Sequence, residues 1–163
     1  LNAVIGREQA KFLLSEFENF QYYKDDSPGI QVEITKFMET VKNLPEGMFK
    51  GFFTGTNGND MHDDYLRGAT GFMPGLHLAD SKEAGWRLLE AGEYSKALEM
   101  QMKLTPLYCF ERLYQLDVCK QILKRRGVIF NTKSRRANMT VFNAPAEKEF
   151  NRIYDRLKTA AQL

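Results

Sequence analysis

The feature that most constrains this chain is a change of rhythm near His77. Before it, helical spacings alternate with short aromatic runs; after it, the sequence reads as helix to the end. From Arg7 to Phe17, the residues Ala10, Leu13, Leu14 and Phe17 share one helical face. Asn19 breaks that pattern, and Phe20 to Lys24 predicts a short strand. Ser27-Pro28 has the form of a helix start, with serine as N-cap and proline in the first position. Ile30, Ile34, Phe37, Met38 and Val41 then supply an apolar stripe that Pro45-Glu46-Gly47 ends. Met48 to Thr54 predicts a second strand, Asp60 to Arg67 a short helix and Thr70 to Met73 a third strand. Helix and strand in strict alternation predict parallel βα units. Such crossovers bring every strand's C-terminal end to one edge, where α/β folds bind their ligands.

The remainder is helical. "ADSKEAGWRLLEAG" offers Asp80 or Ser81 as a cap and Gly92 as a stop. Tyr94 to about Leu116 predicts a long helix bent at Pro106. Val118 to Arg126 predicts a short helix closed by Gly127, and a last one begins near Pro145 with Phe150, Ile153, Tyr154 and Leu157 on one side. The expected division is 1–93 for the βα part and 94–163 for the helical part. Three parallel strands leave two unpaired edges and one poorly covered face. The chain also begins at Leu1 with no initiator methionine. The expectation is therefore a processed or truncated portion of something larger.

Composition narrows the function. At 163 residues, 43% hydrophobic and 27% charged, with a net charge of +2, the chain has no global field that would draw nucleic acid or an anionic membrane. No apolar run approaches the ~20 residues of a membrane-spanning helix, and no signal-peptide pattern opens the chain. Cys109 and Cys119 lack metal-ligand spacing and read as buried reduced thiols, which places the chain in a reducing, cytoplasmic compartment.

Lys24 is the residue with chemistry at stake. Alternation puts Phe20, Tyr22 and Lys24 on one face of the first strand. Two readings stand side by side. Lysines that end strands are usually solvated, and this one then merely marks the exit into water. If its face looks into a closed barrel, the amine is instead desolvated, loses its proton more easily and can attack a carbonyl to form a Schiff base. Asp25 and Asp26 suit either a turn ahead of a helix N-terminus or a role in holding the amine protonated.

Motifs in order along the chain give a resemblance. "YYKDDSPG", "FFTGTNG", "RGATGFMPG", "AGEYSKALEMQMKLTPL" and "CKQILKRRGV…SRRA" resemble the C-terminal half of the dihydrodipicolinate synthase/N-acetylneuraminate lyase family, from about Val4 to Leu157. The resemblance implies an α/β fold, the TIM (βα)8 barrel, of which this chain holds the last three βα units and a C-terminal helical extension. It implies Lys24 as the imine-forming residue of a class I lyase, aldolase or dehydratase acting on a 2-keto acid, pyruvate or a 2-keto-3-deoxy sugar acid. Thr54, Gly55 and Met73 would bind substrate. No metal and no cofactor are implied, because the imine itself is the electron sink. Pro28-Gly29 after Ser27 departs from the more compact Lys-Glu/Asp-x-Ser/Thr-Gly-Asp pattern of the synthases, "GATGFMPG" is closer to members acting on sugar-acid-derived 2-keto-3-deoxy substrates, and Ala137 stands where the family often has proline. The family's carboxylate-binding Gly-Thr-Thr-Gly-Glu loop and its proton-shuttling tyrosine match nothing in this chain. The expected partners are the missing N-terminal half of the barrel and further copies, a tetramer by family analogy, and the chain alone is expected to be inactive. The alternative is a non-catalytic α/β interaction module or inactive barrel fragment.

Other constellations have simpler readings. "TGTNGND" lacks the Lys-Ser/Thr of a phosphate-binding loop and reads as a tight βα turn. Asp60, Asp63 and Asp64 around His62 read as solvated acids at a helix N-terminus. His77 is a candidate for lining the mouth of the site. Lys120, Lys124, Arg125, Arg126, Lys133, Arg135 and Arg136 form a basic cluster without interleaved aromatics, which reads as solvated surface or a subunit contact.

Overall fold

The structure is a computed structural model, and it describes residues 5–135 and 142–161. Arg136 and Ala137 lie outside the described residues. Ten regular elements follow one another: α1 (Arg7–Glu16), β1 (Tyr22–Asp25), α2 (Ile30–Val41), β2 (Gly51–Thr54), α3 (Met61–Leu66), β3 (Gly71–Phe72), α4 (Ala79–Glu90), α5 (Tyr94–Tyr114), α6 (Leu116–Arg125) and α7 (Ala144–Ala161). The three strands form a parallel sheet in the order β1-β2-β3. Lys24 is in register with Phe53, Asp25 with Thr54, Phe53 with Gly71 and Thr54 with Phe72. The sequential order follows from the crossovers, since each helix carries the chain back to start the next parallel strand.

Contacts divide the chain into two compact units, Leu1–Met73 and Pro74–Leu163. α4 packs on α5 within the second unit. In the first unit, one face of the sheet is covered. Ile30, Ile34, Phe37 and Val41 recur at spacings of a helical stripe and are all buried. Phe37 meets the sheet directly: its ring stacks on Tyr23 at 4.5 Å and lies edge-on to Phe52 at 5.2 Å. Enclosing such a ring contributes on the order of 2–3 kcal/mol. α1 adds Ala10 and Leu14, and Tyr23 donates its hydroxyl to the carbonyl of Ile5 at 2.8 Å. In the second unit, Leu104, Leu107 and Phe110 of α5, Val118 and Ile122 of α6, and Phe150, Tyr154 and Leu157 of α7 form the core.

Several element ends differ from expectation for local reasons. β1 starts at Tyr22, two residues after Phe20, and β3 shrinks to two residues. Ser27 does not cap α2; Gly29 does, at φ 73°, a left-handed conformation that glycine adopts at least cost. α4 begins at Ala79, so Asp80 sits inside its first turn and turns to Arg126 instead of capping. α5 runs through Pro106 as the single long helix expected and ends at Tyr114, two residues ahead of Leu116. The α7 start is held by Asn143, whose side-chain oxygen accepts from the Ala146 N–H at 3.1 Å.

Candidate functional site

The C-terminal ends of the strands meet at a short rim in the first unit. Strand alternation and ring contacts fix which side chains share its open face. Tyr22 lies against Phe53, with centroids 5.5 Å apart. A Cβ at Gly71 would fall 2.5 Å from the Phe53 ring, so Gly71 is kept bare by that ring. Tyr22, Lys24, Phe53 and Met73 therefore belong to the face not covered by α2. Lys24 is about a third exposed, with 34% of its side-chain surface accessible, and Met73 is 54% exposed.

Lys24 is not alone. Its Nζ pairs with the Asp26 carboxylate. Asp26 Oδ1 also accepts from the Thr56 N–H at 3.2 Å, and the Gly55 N–H donates to the Asp25 carbonyl at 2.8 Å. The loops after β1 and β2 are thus laced together at the lysine. Gly55 is what makes room: a Cβ there would fall 1.4 Å from Asp26 Oδ1. The Met73 N–H closes the third side by donating to the Thr54 carbonyl at 2.9 Å. Lys24, Gly55 and Met73, expected together, are brought to one rim.

Thr54 differs. It is fully buried and in register with Asp25, one residue out of phase with Lys24, so its hydroxyl turns to the helix side of the sheet. Only its main chain takes part in the rim. Behind it stands Asp64 of α3, which is fully buried and not the solvated acid its neighbours suggested. Asp64 Oδ1 accepts from Gln31 Nε2 at 3.0 Å. Burial pushes this carboxyl up to about 6, with the Thr54 hydroxyl and Gln31 tempering the rise and the charges of Asp60 and Asp63 adding to it. Asp64 Oδ2 and Thr54 Oγ1 both lack a well-formed hydrogen bond.

The second unit holds another cluster. His77 is 1% exposed, so it lines no open mouth; it faces Glu111 of α5 and Cys119 of α6. The cysteines are both free, but Cys109 is exposed and Cys119 half-buried, not both buried as expected. Burial, with the charge of Glu111, pushes the Cys119 thiol up to about 12. These contacts span 34 and 42 residues of chain, and no local spacing signals them. Much of the basic cluster is engaged with neighbours. Arg126 clasps Asp80 and holds its carboxyl below the usual range, Arg125 lies 4.5 Å over the Phe150 ring, and Lys120 donates to the Lys133 carbonyl.

A parallel α/β architecture with Lys24, Gly55 and Met73 gathered at the strand ends is the class this arrangement defines. Among solved structures, that fold is shared with dihydrodipicolinate synthases. The enzyme from Rhodopseudomonas palustris matches with a TM-score of 0.72 and 23% identity over 83% of this chain and 45% of its own. That from Oceanobacillus iheyensis matches with a TM-score of 0.77 and 16% identity over 94% of this chain and 51% of its own. The chain spans about half the length of the solved structures it matches. No protein-family model and no curated protein matches it. No helix among the described residues is long and apolar enough to cross a membrane.

Proposed function

We propose that this chain is the nucleophile-bearing part of a Schiff-base lyase acting on a 2-keto acid, and that its sheet is the last three strands of a (βα)8 barrel. Residues 1–93 then form the barrel portion, with α4 as its final helix, and 94–163 the helical extension. The observation that carries the reading is the placement of Lys24 at the strand-end rim, on the same open face as Met73 and bound through Asp26 to the loop of Gly55. It is supported by the fold shared with dihydrodipicolinate synthases.

In this reading the Lys24 amine adds to the ketone carbon of pyruvate or a 2-keto-3-deoxy sugar acid. Loss of water leaves a protonated imine, which withdraws electrons from the adjacent carbon. The amine attacks only after giving up its proton, and Asp26 is the neighbouring group that can accept it. Gly55 lets the substrate approach the main chain, and Met73 forms an apolar wall. The substrate's carboxylate and the later proton transfers need groups from elsewhere, the five preceding βα units, supplied on the same or a second polypeptide. Further copies would complete a tetramer, as in the family that the motifs resemble.

The test is reduction with borohydride in the presence of pyruvate, on this chain completed by those five units. A mass gain confined to the peptide carrying Lys24, abolished by Lys24→Ala together with turnover, is expected. Turnover that survives Lys24→Ala would exclude the imine. The exposure of Lys24 and its pair with Asp26 favour a second reading, a non-catalytic interaction module; there, no lysine is labelled selectively and no turnover is found.

A further inference from the structure

Three chemically different donors converge in the second unit: His77 in the turn before α4, Glu111 on α5 and Cys119 on α6. Their donor atoms all lie within 4.8 Å of one another. Two separations carry the argument. His77 Nε2 stands 3.3 Å from Glu111 Oε2 and 3.7 Å from Cys119 Sγ. A tetrahedral zinc ion, with bonds of about 2.0 Å to nitrogen and oxygen and about 2.3 Å to sulfur, sets its ligands about 3.3 Å apart for an N–O edge and about 3.5 Å for an N–S edge. The two edges that meet at His77 already stand near those lengths, and the third, between Glu111 and Cys119, is within 4.8 Å.

Without metal, the same three groups can be joined by hydrogen bonds in which the Glu111 carboxylate accepts from both the His77 Nε2–H and the Cys119 S–H. An imidazole nitrogen offers a single in-plane position, either a proton or a lone pair. In that arrangement Nε2 carries the proton and offers no lone pair to Cys119, whose sulfur nonetheless lies 3.7 Å from it. A cation on its lone pair engages all three donors together. The mixture of sulfur, nitrogen and oxygen suits zinc and disfavours magnesium or calcium, which prefer oxygen throughout. The frame around the donors is also fixed. Arg126 Nη1 donates to the His77 carbonyl at 2.8 Å while the same guanidinium clasps Asp80, which ties the histidine's turn to the end of α6.

One group opposes a cation. Lys82 is fully buried, its Nζ lies 4.5 Å from the centre of the Tyr108 ring, and its charge acts on Glu111. We propose that His77, Glu111 and Cys119 form a zinc site with water at the fourth corner, and that Lys82 holds its affinity down. Without metal, the Lys82 ammonium balances the Glu111 carboxylate; with metal, it repels the ion that takes over that task. Binding exchanges the thiol proton for the metal: the S–H bond breaks, the S–Zn bond forms and the proton leaves to solvent, with no change of oxidation state. The site belongs to the second unit and stands or falls independently of the Lys24 chemistry.

Titration of the reduced, full 163-residue chain with Co²⁺ as a spectroscopic stand-in tests this. The expected result is a thiolate-to-cobalt charge-transfer band that saturates at one ion per chain and disappears when Zn²⁺ is added. Cys119→Ser removes the band, whereas Cys109→Ser, at an exposed position, leaves it intact. His77→Ala weakens Co²⁺ binding by at least ~10–100-fold, the loss typical when even an outer-shell partner is removed. Lys82→Met tightens it by about tenfold or more, because a like charge is removed from a site of low dielectric. No thiolate band in the wild-type chain, a band that survives Cys119→Ser in a chain whose circular dichroism shows it folded, or an unchanged affinity in Lys82→Met would overturn the proposal.

Discussion

At Asp64, a carboxyl with no exposed surface shares the space behind β2 with the Thr54 hydroxyl and the Gln31 amide. Its folded pKa of about 6 stands above the ordinary 3.8, mainly through burial. The folded chain therefore holds this proton more tightly than the unfolded chain does. The stabilisation is full below the unfolded value of about 4, declines as pH rises from there to about 6, and is gone above. A shift of about two units corresponds to ~3 kcal/mol. Asp64→Asn keeps an oxygen for Gln31 and gains an N–H that can donate to Thr54, with no charge to bury. The expected outcome is a gain of ~2–3 kcal/mol in urea unfolding at pH 8 that shrinks towards zero near pH 4. An equal offset at both pH values would mean that the charge is not what Asp64 contributes. The acids facing this group, Asp60 and Asp63, are on its own helix, while α2 contributes Gln31 and β2 contributes Thr54.

Among the elements, the joint between α5 and α6 stores strain. Gln115 lies at φ 48° and ψ −127°, a region that residues with a Cβ rarely occupy. Its N–H still donates to the Glu111 carbonyl at 2.6 Å, so this one residue both ends α5 and opens α6. Gln115→Gly is expected to stabilise the chain by ~1 kcal/mol, the relief of strain exceeding glycine's entropic cost. Thermal unfolding measures it, and a lowered midpoint would show that the glutamine is not strained. Helices were the legible part of this molecule. The stripe of Ile30, Ile34, Phe37 and Val41 and that of Phe150, Tyr154 and Leu157 are written at helical spacing, and both are buried. The strand faces were less so. A strand of four residues gives alternation but no sign of which face is covered, and Thr54 turned to the helix side for reasons that lie in α3. The donors around His77 were illegible, because what joins them is the joint at Gln115 and the packing of three elements, not their spacing.

For the molecule as a whole, the governing fact is a sheet with one covered face. Tyr22 and Met73 are about half exposed, and β1 and β3 are both edge strands. Such apolar surface promotes association. Tyr22→Glu combined with Met73→Glu is expected to lower the concentration-dependent mass of the isolated chain in sedimentation, with little change in its unfolding midpoint. An unaltered mass distribution would place the sticky surface elsewhere. The rim itself has a different kind of consequence. Because all three strands run the same way, the loops after them gather at one edge, where the Thr56 N–H donates to Asp26 and the Gly55 N–H to the Asp25 carbonyl. For an engineer, this confines variation to one edge: residues 26–28, 56, 57, 59 and 73–76 can be randomised as a compact library while Gly29, Gly55, Gly58 and Asp60, which shape the turns and helix starts, are kept.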